Sequence, residues 1–212
     1  MSLQIHYFDN ELNLLQQECG NPNICSINGG GCINRPKLLF LFMNPTARNI
    51  AANPNWTGLR TPWIGTKNIW KLIYKLNLIT ENQFQQIQKY KPSDWTVEFA
   101  SKLYQTLSDN RVYITNLAKC TQDDARPLNN NIFKKYLRLT LQEISIINPQ
   151  KIIAFGVQVS SILLNKKIEL KNNHEEKIII NKREYLVFPT YYPVGQGMRN
   201  IDKAIERISI LL

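Results

Sequence analysis

The sequence predicts an α/β fold: three α/β/α layers around a central, mostly parallel, four-stranded sheet. Three observations lead there. Short, almost continuously apolar runs recur along the chain, helical periodicity lies between them, and each run ends in polar or turn-forming residues.

The first run is residues 37–43 (KLLFLFM), stopped by Asn44-Pro45. Unbroken apolarity of this kind suits a strand covered on both faces. Residues 112–117 (VYITNL), 151–155 (KIIAF, closed by Gly156) and 185–190 (YLVFPT) repeat the pattern. Among the helices, residues 4–18 read as an amphipathic opening segment. Ile69, Trp70, Ile73 and Leu76 share one face, as do Phe133, Tyr136, Leu137, Leu141 and Ile144 in a helix stopped at Asn148-Pro149. A further helix follows Gly156 (VQVSSILLN), and Ile201, Ala204, Ile205, Ile208 and Leu212 form a last one. Residues 19–36 are turn-rich, with Asn21-Pro22 and three consecutive glycines, and predict a loop held by something other than regular structure.

The 212 residues suit a single domain, 1–212, with one substantial core. Hydrophobic residues at 43% and charged residues at 20% exclude a disordered chain. No apolar run approaches the roughly 18 to 20 residues that cross a bilayer, and Met1-Ser2-Leu3 lacks a secretory pattern. The expectation is a cytoplasmic monomer, nucleoid-associated if prokaryotic. Lysine and arginine number 26 against 16 acids, a net charge of +10. That excess fits a polyanionic partner through counterion release, or simply a basic surface. No Gly-x-x-x-x-Gly-Lys or Gly-x-Gly-x-x-Gly loop follows a strand, which argues against a nucleotide-handling enzyme built on those motifs.

Ligands of open α/β sheets bind beyond the carboxyl ends of the strands. Here those positions are Asn44-Pro45-Thr46, Asn116 with Lys119-Cys120, Gly156, and residues 190–197. These blocks resemble the uracil-DNA glycosylase superfamily. LFLFMNPTARNIAAN is similar to the mismatch-specific branch, with its Gly-x-Asn-Pro turn. Pro62-Trp63-Ile64-Gly65 resembles the Pro-Phe-Val-Gly element of the iron–sulfur branch. VYITNLAKCTQDDARP resembles that branch's strand-Asn-x-x-Lys-Cys element, PQKIIAFGVQVSSILL its strand-Gly-helix, and FPTYYPVGQGMRN stands where the family has Pro-Thr-x-His-Pro. Each block alone is weak; together, in the family's order, they are specific.

The resemblance implies a DNA glycosylase acting on DNA that carries a damaged or mismatched base, with no membrane partner, and it implies roles. Trp63 falls where the family stacks an aromatic on the flipped base; otherwise it is a core tryptophan. Asn116 matches the base-reading asparagine, whose amide carries both a donor and an acceptor; otherwise it caps a strand. Asn44 matches the residue that holds the attacking water, or else only forms a turn. Gln196, Met198 and Arg199 lie on the loop that enters the duplex, Met198 as an apolar wedge and Arg199 on a phosphate. Lys119 and Arg126 are further phosphate candidates, or solvated charges.

Two positions depart from the family. Its final-motif histidine is replaced by Tyr192, which can donate a hydrogen bond but brings no positive charge. An acidic residue of the iron–sulfur branch is replaced by Met43. A catalytically weak DNA- or damage-binding module on the same fold is therefore the alternative. Cys120 matches one cysteine of the iron–sulfur branch, but its later partner is missing, since residues 134–137 read KKYL. With Cys19, Cys25 and Cys32 it makes the four thiols that a [4Fe–4S] cluster or a tetrahedral zinc requires. A shared cluster, a zinc and unrelated thiols stay open.

Overall fold

The computed structural model describes residues 2–125, 128–171 and 175–212. Its centre is a parallel block of four strands: β2 (Leu38–Phe42), β3 (Val112–Asn116), β4 (Lys151–Phe155) and β6 (Arg183–Thr190). These are the four runs legible in the sequence. The sheet nevertheless has six strands, not four, because an antiparallel strand closes each side. β1 (Gly30–Gly31) pairs with β3, and β5 (Glu176–Ile180) pairs with β6, giving the order β1-β3-β2-β4-β6-β5.

Seven helices accompany the sheet among the described residues: α1 (Asp9–Cys19), α2 (Asn68–Lys75), α3 (Glu81–Lys89), α4 (Val97–Asp109), α5 (Asn130–Ile147), α6 (Val157–Leu164) and α7 (Ile201–Ser209). Two of them, α3 and α4, fall where the sequence reading assigns nothing. Their starts are well specified, since Thr80 and Gln83 form a reciprocal capping box and the Thr96 side chain accepts from the Phe99 amide. Helix α1 begins at Asp9, later than the expected residue 4.

Strand alternation splits the core into two layers. Leu38, Phe40, Phe42, Val112, Ile114, Ile153 and Phe155 face a cluster containing α2, α4 and α7. Leu39, Leu41, Tyr113, Ile152 and Ala154 face the other cluster, built on α5 and α6. Burial of every residue of β2 and β3 explains their unbroken apolar signal. The three-layer expectation holds.

The 19–36 segment is held by hydrogen bonds. The Gln16 side chain accepts from the Thr121 amide at 2.8 Å and donates to its carbonyl at 3.1 Å. The Thr121 hydroxyl donates to the Cys25 carbonyl at 2.7 Å, and the Gln122 amide donates to that of Cys19 at 2.7 Å. The Ile27 amide donates to Lys119 O at 3.0 Å, and the Ile27 side chain is wholly buried.

Candidate functional site

One row of side chains crosses the carboxyl edge of the sheet, on the face toward α2 and α4. Asn116 ends β3 and is the parallel register partner of Phe42. Phe42 stacks on Phe155 of β4, with ring centroids 4.3 Å apart and planes 3° from parallel. Phe155 is in turn the register partner of Thr190 on β6. The ring of Phe42 also meets Trp63 edge-on at 5.1 Å and Tyr192 edge-on at 6.3 Å. Three residues singled out in the sequence (Trp63, Asn116 and Tyr192) thus converge on Phe42, which the sequence reading treats only as strand. Asn44 follows two residues beyond Phe42 and is half-buried.

The segment carrying Asn44 is zipped to the one leaving β3. The Leu117 and Ala118 amides donate to the carbonyls of Phe42 and Met43, Gln122 N to Pro45 O, and Ala47 N to Gln122 O. Thr46 and Gln122 form an isolated parallel bridge. The Asn44 amide nitrogen donates to Pro45 O at 3.1 Å, which turns its carbonyl oxygen the other way.

The Trp63 turn is pinned as firmly. The Trp63 carbonyl accepts from Thr66 Oγ1 at 2.8 Å and from Trp70 Nε1 at 3.2 Å. Tyr104 Oη donates to the carbonyl of Pro62, and Asn49 Nδ2 donates to that of Thr61 at 2.8 Å.

Unfavourable features accumulate here. Trp63 has φ of 73°, a left-handed conformation that costs a bulky residue about 1–3 kcal/mol. Trp63 Nε1, Asn116 Nδ2 and Thr190 Oγ1 are buried without a hydrogen-bond partner. Each such group costs about 1–3 kcal/mol. Strain and unpaired donors concentrated at one strand edge are what a site prepared for a polar ligand displays.

Burial pushes the phenol of Tyr192 above its ordinary pKa, so it stays a neutral donor. Its ring lies against Gly156, whose φ of 91° turns the chain from β4 into α6.

A family model described as the uracil DNA glycosylase superfamily matches residues 29–208, which span this entire edge. The chain belongs to the uracil-DNA glycosylase superfamily. No curated protein matches it.

The remaining candidates of this superfamily member fall differently. Gln196 and Arg199 are exposed on the 3-10 turn Gly195–Asn200, while Met198 is half-buried and packed against the first core cluster. Arg126 lies outside the described residues. Lys119 is no phosphate ligand: its ammonium is buried and ion-paired with Glu143 at 2.6 Å, with only 4% of the side chain exposed. The sequence reading missed Glu143 altogether, because it stands on α5, far along the chain.

Of the four cysteines, Cys19 and Cys120 lie near each other, both touched by the Gln122 side chain. Cys32 Sγ donates to Asn34 O at 3.5 Å, Cys120 is buried beside Gln122, and Cys25 sits with its amide on Ala52 O. Among the described residues no group of three or more Cys, His, Asp or Glu is placed to hold a metal. Among the described residues no helix is long and apolar enough to cross a membrane.

Proposed function

We propose that this chain is a monofunctional DNA glycosylase that hydrolyses the N-glycosidic bond of uracil, or a related deaminated base, flipped out of DNA. The observation that carries this reading is the Asn116 amide nitrogen, buried and unpaired on the residue paired with Phe42, whose ring in turn meets Trp63. Deamination replaces an amine with a carbonyl, and a carbonyl oxygen is what an unpaired amide donor needs. Flipping costs a few kcal/mol of lost stacking, and an aromatic platform such as Trp63 returns about 1–3 kcal/mol.

In the reaction a water oxygen bonds to C1′ as the C1′–N bond breaks. The bonding pair leaves with the base, and the water's proton ends on solvent or on the base. Asn44, its nitrogen held by Pro45, offers a carbonyl oxygen to orient that water. Asparagine is a poor base, so rate depends on stabilising the departing anion. Asn116 and the neutral Tyr192 phenol are the donors for it. Outside the pocket, Arg199 and Gln196 meet the backbone, as does Arg48, exposed four residues past Asn44.

The test is incubation with duplexes carrying single uracil, hypoxanthine, xanthine or thymine mismatches, followed by alkali. Strand scission that disappears with Asn44→Ala supports the glycosylase. The second reading, a damage-binding module, is favoured by Tyr192 standing where a charged donor would be. It would show salt-sensitive binding to the same duplexes with no scission.

A further inference from the structure

The geometry points to the buried Lys119–Glu143 pair as a positioning device for Asn116, through which α5 sets the aim of the base-reading amide. This inference rests on the proposed role of Asn116.

Every hydrogen of the Lys119 ammonium is used. It donates to Thr115 Oγ1 at 2.9 Å, to Glu143 Oε2 at 2.6 Å and to the main-chain carbonyl of Asn116. Glu143 Oε1 accepts from the Thr115 hydroxyl at 3.0 Å and from Tyr113 Oη at 2.9 Å. The network is buried, lying under the face of the sheet opposite the Asn116 side chain. It reaches the candidate site through the Asn116 carbonyl.

That link matters because the side-chain nitrogen of Asn116 has no partner of its own. An amide whose nitrogen no partner holds takes its direction largely from the backbone that carries it. Here the backbone is at the last residue of β3, and the Leu117 and Ala118 amides that follow still tie the chain to Phe42 and Met43. A carbonyl clamped by a buried cation holds this residue from the other face of the sheet, in addition to those main-chain bonds. A well-packed apolar pair would stabilise the fold as well as a buried ion pair does, so stability alone does not account for it. Orientation does, since supporting contacts hold a reading group to within about 0.5 Å.

The variant is Lys119→Met/Glu143→Leu, which removes both charges and leaves neither stranded. Glu143→Gln, which keeps the hydrogen-bonding shape, is its companion should the double variant not fold. Single-turnover excision of the preferred base is measured beside affinity for an undamaged duplex. The excision rate should fall about 10- to 100-fold, as misplacement by about 1 Å does, while duplex affinity changes less than about threefold, since no phosphate ligand is lost. A folded variant with wild-type excision overturns the inference.

A second readout needs no catalysis. The side-chain amide resonances of Asn116, assigned by their loss in Asn116→Asp, should shift or broaden in the variant. Unchanged resonances overturn the inference as well. If the wild-type protein excises no base, the glycosylase reading fails, and these resonances still decide whether Lys119 orients Asn116.

Discussion

The indole of Trp63 stands edge-on to the ring of Phe42, with centroids 5.1 Å apart and planes at 79°, on a backbone turned to positive φ. That arrangement presents a rigid aromatic at the end of the sheet without making it part of the sheet. Trp63→Ala should weaken binding to a duplex carrying a non-hydrolysable 2′-fluorinated deoxyuridine by about 1–3 kcal/mol. Binding to the undamaged duplex should not change. Fluorescence anisotropy with the two duplexes makes the comparison, and equal losses on both would contradict a stacking role.

Asn116→Asp exchanges the unpaired donor for an acceptor in a buried place. Single-turnover excision should drop about 10²- to 10³-fold, the usual consequence of losing one preorganised donor. Retained excision of a carbonyl-bearing base would remove Asn116 from base reading.

Burial raises the pKa of the phenols of Tyr104, Tyr113, Tyr136 and Tyr192 above the ordinary 10.0. The folded chain therefore holds these protons at a pH where the unfolded chain has released them. Stability contributed this way is complete below pH 10 and is lost as pH rises beyond it. Melting temperature should fall from pH 9 to pH 11, with the part of the phenolate absorbance lost in a Tyr104→Phe variant appearing together with unfolding rather than before it. Excision attributable to Tyr192 should not decline below pH 10.

Gly29→Ala tests the polar core from another side. A Cβ there would lie 2.2 Å from Tyr113 Oη and 2.6 Å from Glu143 Oε1. Disturbing a satisfied buried network costs about 3–5 kcal/mol, which urea denaturation would register as a lower midpoint with an unchanged slope. A stability within about 0.5 kcal/mol of wild type, the range of ordinary surface changes, would show that the network yields easily.

Arg199 is exposed on the turn before α7. If it meets one phosphate, Arg199→Ala should reduce the slope of log affinity against log salt by about 1. Titrations at several salt concentrations give that slope directly.

The parallel block was legible in the sequence because both faces of each central strand are covered, so LLFLF and its companions carry no polar interruption. β1 left no trace, since two glycines pair with β3 through backbone alone. β5 alternates half-buried and exposed residues at the margin, so no continuous buried run marks it. α3 and α4 could have been found from Thr80-x-x-Gln83 and the Thr96 cap.

The site was half legible. Asn44, Trp63, Asn116 and Tyr192 carry motif spacing, but Phe42, which joins three of them, is hidden within an apolar run. Lys119 shows how local reading fails for a charge. A lysine beside a strand end looks solvated until its carboxylate arrives from a helix 24 residues later. The ties that hold the 19–36 loop were illegible for a related reason: Gln16, Thr121 and Gln122 meet it across about 100 residues of sequence.

The two antiparallel margins bear on how the molecule behaves in a crowd. An open parallel block would offer unpaired amides and carbonyls along both flanks, a template for strand exchange between copies. One flank here ends in a two-residue ribbon too short to recruit a neighbour. The other carries Glu176, Lys177, Arg183 and Glu184 around the lone exposed Ile179. The folded chain thereby offers little open strand edge for a second copy to extend.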